Sequence, residues 1–144
     1  MTAAADYATL LQSGTDLVAQ AQAVATQDFA QARALWQQAG VFFAKAHQAD
    51  GDQHTAALRL AQAWMAEAHA LQKEGSANAA IMWTNAAAQC ERAFDLQPDH
   101  APTAMMAASC HAWAQNQEAA QAWAQLAKHL QQFDADLPQA GASA

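Results

Sequence analysis

A chain of 144 residues, 53% of them apolar and with only five glycines and three prolines, has room for one domain that buries roughly two thirds of its unfolded surface. Six Lys/Arg against thirteen Asp/Glu give a net charge of −7, which repels phosphate backbones and anionic lipid, so nucleic acid and membrane surfaces are excluded as favoured partners. No window approaches the roughly 18 strongly apolar residues of a membrane span, and the opening "MTAAADYATLLQSG" has Asp6 where a secretory leader needs a basic residue. The expectation is a soluble, cytoplasmic chain.

Ala and Gln dominate while Val, Ile and Tyr are few, so intrinsic preferences sum toward an all-α fold. A first helical segment runs from about Ala4 to Thr26, with Ser13-Gly14 as a place where it can break and Ser13 or Thr15 as an internal cap. Asp28 is a good N-cap for a second, whose stripe of Phe29, Ala32, Leu35, Trp36, Ala39, Phe42, Phe43 and Ala46 has helical spacing before "QADGDQ" stops it. A third runs from Asp52 or Gln53 to Lys73, with Leu58, Leu60, Ala61, Trp64, Ala68 and Leu71 on one side, and ends at Glu74-Gly75.

Ser76 then caps a fourth helix with the stripe Ala79, Trp83, Ala86, Ala87, Cys90, Ala93 and Phe94, which Pro98 terminates. Pro102 suits the first turn of a fifth helix, running through Met105, Met106 and Trp113 to about Gln115, because its missing N–H costs nothing there. After "QNQ" a sixth covers Gln117 to Phe133. Residues 1–134 are thus expected to form one domain and 135–144 a flexible tail. Short connections make neighbouring helices antiparallel, so the chain reads as three consecutive hairpins.

The hairpins look alike. Ala32-Trp36-Ala39, Ala86-Cys90-Ala93 and Ala120-Ala124-Ala127 repeat one i, i+4, i+7 pattern in which small residues let helices approach closely. "ALRLAQAW", Ala57 to Trp64, places Leu60, Ala61 and Trp64 together, "QDFAQA" and "NQEAAQA" open two later helices alike, and Ala93 is followed five residues on by Pro98. On these segments the chain resembles the tetratricopeptide repeat. The resemblance implies a superhelix of stacked hairpins whose first helices line a concave face for a peptide or partner helix. It places Leu17, Ala21 and Val24, then Leu58, Gln62 and Met65, then Met105, Ser109 and Trp113 on that face, with the last six as the binding groove. Ala-rich helices can also match such a template by composition, so a plain helical bundle stays open beside it.

Chemistry is hard to find. Among six histidines there is no His-x-x-x-His pair and no Glu-x-x-His pair, and Glu67 and His69 lie on different helix faces. Cys90 and Cys110, with His100 or His111 near, are the one place where a metal site is conceivable; two buried thiols are the plainer reading. No phosphate loop and no nucleophile elbow is present, and Asp28, Asp52 and Glu118 sit where carboxylates favour helix N-termini. The expectation is no enzyme, no cofactor and no metal. What remains is a protein-interaction module, an adaptor or a chaperone similar in size and charge to the small acidic tetratricopeptide chaperones of bacterial secretion systems, with a preference for basic segments. The alternatives are a self-assembling dimer and a ligand- or metal-binding helical bundle.

Overall fold

The structure, a computed structural model, describes residues 3–136, and these form six helices with no strand. They are α1 (Ala3–Val24), α2 (Phe29–Ala49), α3 (His54–Lys73), α4 (Ala79–Leu96), α5 (Ala101–Trp113) and α6 (Gln117–Asp136). From residue 137 on, the expected tail lies outside the described residues; its first two positions belong to α6. Among the described residues no helix is long and apolar enough to cross a membrane.

The punctuation works through identifiable hydrogen bonds. Asp28 Oδ1 accepts from the Gln31 backbone N–H at 3.1 Å and caps α2 as expected. Asp52 caps nothing: Gln53 is the N-cap residue of α3, and Asp50 folds the preceding turn by accepting from the Asp52 N–H. Ser76 stands outside α4, where its hydroxyl receives the Asn78 N–H in the turn that leads into the helix. Pro102 lies in the first turn of α5. α3 and α5 end alike: a residue with positive φ, Gly75 or Gln115, lets the next N–H reach back to the Leu71 or His111 carbonyl.

α1 does not break at Ser13-Gly14. The Ser13 and Thr15 hydroxyls bond back to the Thr9 and Leu11 carbonyls four residues earlier, so neither is free to cap a new helix. Gly14 is there for proximity, because a Cβ at this position would lie 2.5 Å from Phe43 Cε1. α1 and α2 close on each other through this gap.

Packing is linear along the chain. Each helix lies against its chain neighbours, within pairs (α1 with α2, α3 with α4, α5 with α6) and between them (α2 with α3, α4 with α5), and α1 also touches α3, where Ala56 N–H donates to the Tyr7 hydroxyl. The result is three antiparallel helical hairpins stacked side by side rather than a closed ring. The core is built mostly from alanine, which brings helix axes close. Around it stand a few large anchors: Phe43, Trp36, Trp83 and Phe94 are buried. The expected stripe of α4, from Ala79 to Phe94, is buried throughout. Of the small-bulky-small sets, Ala32-Trp36-Ala39 and Ala86-Cys90-Ala93 are buried completely, whereas Ala124 in the last faces solvent.

Candidate functional site

The nine residues placed on one face by the repeat resemblance fall into different surroundings. Ala21 is buried between α1 and α2, and Leu17 and Val24 pack beside it against the Phe43 and Trp36 clusters. Gln62 lines a cleft between α1 and α3 with Val18 and Arg59, Leu58 is half-buried, and Met65 packs onto the cluster that holds Trp83, Cys90 and Cys110. Met105, Ser109 and Trp113 form an exposed stripe on α5. Ser109 sits in a shallow depression with Ala112, Ala120 and Ala124, between α5 and α6.

α5 buries its small residues. Ala101, Thr103, Ala104, Ala107, Ala108 and Cys110 face the protein, leaving Met105 40% and Trp113 47% exposed. Trp113 is nevertheless held: its ring stacks on Trp83 with centroids 5.7 Å apart and planes 15° from parallel. Trp83 in turn donates its indole N–H to Gln72 Oε1 at 3.0 Å, which fixes the lower ring of the stack.

Cys90 and Cys110 do meet across the α4–α5 joint, with sulfurs 3.9 Å apart and both residues fully buried. The histidines nearby are engaged elsewhere. His100 bonds the Thr103 hydroxyl at 2.6 Å, and His111 Nε2 lies 3.1 Å from Glu91 Oε1, which also accepts from Trp123 Nε1. Among the described residues no group of three His, Cys, Asp or Glu is arranged to hold a metal. The hydrogen bond to Cys110 and burial push the Cys90 thiol well above its ordinary range, which suits an inert core group rather than a thiolate ligand or nucleophile.

A feature that spacing alone does not reveal is a cleft of about 450 Å³ over α3, walled by α2 and α4. Its apolar lining includes Gly40, Val41, Ala44 and Leu60. Trp64, expected in the core, is only half-buried because one side of the indole lines this cleft; its Nε1 lies 3.2 Å from where a Cβ on Gly40 would sit. Gln89 is 7% exposed and faces the same space, with Arg92 one turn further along α4. In the sequence Gln89 is one of many glutamines, and only the packing of α4 sets it apart.

No protein-family model matches this sequence, and no curated protein sequence matches it.

Proposed function

We propose that this chain is a non-enzymatic interaction module, similar to tetratricopeptide-repeat proteins, that binds a peptide or helix of a partner protein along the exposed stripe of α5. The observation that carries the reading is Trp113, a large aromatic ring half open to solvent yet stacked flat on the buried Trp83. A ring already immobilised loses little conformational freedom on binding, which is what an aromatic anchor at an interface requires. Met105 supplies an adaptable apolar contact two turns away, and the alanines around Ser109 leave room for a partner backbone.

Stacked hairpins with open ends favour an adaptor or chaperone-like role, since such arrays offer extended surfaces rather than enclosed sites. The net charge of −7 favours a partner segment with basic residues beside its apolar ones. The hairpins differ from the family pattern in length: α1 and α2 have 22 and 21 residues, so together they exceed the roughly 34-residue repeat.

The test is capture of partners by the parent chain and by Met105→Glu/Ser109→Glu, with helicity checked by circular dichroism. Both positions are exposed, so the variant should fold as the parent does and lose the partner. Undiminished capture by the folded variant rules out this face. A loss of dimers from the variant in sedimentation, with no other protein captured by the parent, would assign the stripe to self-association instead.

A further inference from the structure

The α2–α3–α4 cleft has the properties of a small-molecule site, and we propose that it binds an amphipathic monocarboxylate, apolar body inward and carboxylate held by α4. This goes beyond partner binding at α5 and uses different helices. Its volume of about 450 Å³ lies within the range of ordinary ligand pockets, which are mostly apolar with a few convergent polar groups.

Those polar groups are all able to donate. Gln89 is more than nine-tenths buried, and its amide opens onto the cleft rather than being sealed in the protein as the Trp36 indole N–H is. The Gln89 amide can still reach water through the cleft, but His47, which lines the same cleft, has a buried Nδ1 without a hydrogen-bond partner among the described residues, and such an atom is costly unless something bonds to it. Trp64 lines the same cleft, with its indole Nε1 beside Gly40. Arg92 lies three residues beyond Gln89 on the same helix face and forms no ion pair among the described residues, whereas Arg33 is paired with Glu67.

The charge pattern selects the ligand class. None of the described residues lining the cleft is Asp or Glu, in a chain that has thirteen of them. One guanidinium with a neighbouring amide matches one planar carboxylate, whose two oxygens accept from both. The predominantly apolar walls set by Val41, Ala44 and Leu60 suit an alkyl or aryl body and disfavour a multiply charged phosphate.

Decanoate is a suitable probe, titrated into the full chain by calorimetry and by the indole N–H resonance of Trp64, assigned through Trp64→Phe. The expected result is saturable one-site binding that shifts this resonance, weakened about tenfold or more by Arg92→Gln and by replacing decanoate with decanol, which corresponds to one charge-assisted hydrogen bond. Met105→Glu, on α5, should bind decanoate as the parent does. Absence of saturable binding, an unmoved Trp64 resonance, or equal affinity in Arg92→Gln would overturn the assignment. Any of these would leave the α5 reading untouched.

Discussion

Arg33 on α2 donates its Nε–H to Oε1 of Glu67 on α3 at 2.7 Å, and Glu67 is the most buried charged side chain among the described residues. Gln37 donates to the same oxygen at 3.0 Å, so two groups of α2 hold one carboxylate of α3 at the joint between the first and second hairpins. Removing Arg33 leaves the buried carboxylate with only the Gln37 amide, although the Arg33 side chain is itself partly exposed. Arg33→Met should therefore destabilise the fold by about 1–3 kcal/mol, and adding Glu67→Met should restore most of the loss. Urea denaturation of the two single variants and the double one checks this; additive losses would show that the pair is not coupled.

Gly14→Ala should destabilise although alanine is the better helix former. The added methyl would sit 2.5 Å from the Phe43 ring, which is itself 1% exposed and has nowhere to retreat. Overpacking costs of roughly 1–3 kcal/mol outweigh a helix-propensity gain of about 1 kcal/mol. A thermal midpoint at or above that of the parent would mean that α1 and α2 are less closely apposed than described.

Gln115 has φ +67° at the end of α5, a left-handed conformation that costs a side chain-bearing residue about 1 kcal/mol and glycine almost nothing. Gln115→Gly should accordingly raise stability by about 0.5–1 kcal/mol, while Gly75→Ala, at φ +72° with open space around it, should lower it by a similar amount. Denaturant midpoints moving in opposite directions are the expected outcome.

The Cys90 thiol predicts an alkaline weakening. Its proton is held more tightly in the folded chain, chiefly by the hydrogen bond with Cys110 and by burial, than in the unfolded chain, where it leaves near pH 9. A raised folded pKa gives stability that is complete below the unfolded value and declines as pH rises past it, by up to about 1.4 kcal/mol per pH unit. Denaturation between pH 8.5 and 10 should show this slope in the parent and a shallower one in Cys90→Ala. Equal slopes would remove the thiol as the cause.

The helices were legible wherever punctuation and residue size agreed. α4 has Gly75 before it, Pro98 after it and Trp83 and Phe94 on a single stripe, so both its extent and its buried side follow from spacing. α5 offers no such contrast: nearly every residue is apolar, and the large Met105 and Trp113 draw attention while the helix buries Ala104, Ala107 and Ala108. Size alone cannot orient a helix whose small face is the one that lets its neighbours approach. Gly14 looked like a break because its use depends on Phe43, far away in sequence. The cleft was illegible for the same reason, since Gly40, Trp64, Gln89 and Arg92 come from three helices and form no local motif.

The central claim, a partner-binding stripe on α5, is tested most directly by light-activated cross-linking from a photoreactive side chain placed at Ser109, with the exposed Ala88 on α4 as the control position. The account predicts one dominant cross-linked protein from position 109 and none from position 88, with the adduct lost when Met105→Glu is added. Equal cross-linking from both positions, or an adduct at 109 that survives Met105→Glu in a folded chain, would contradict it.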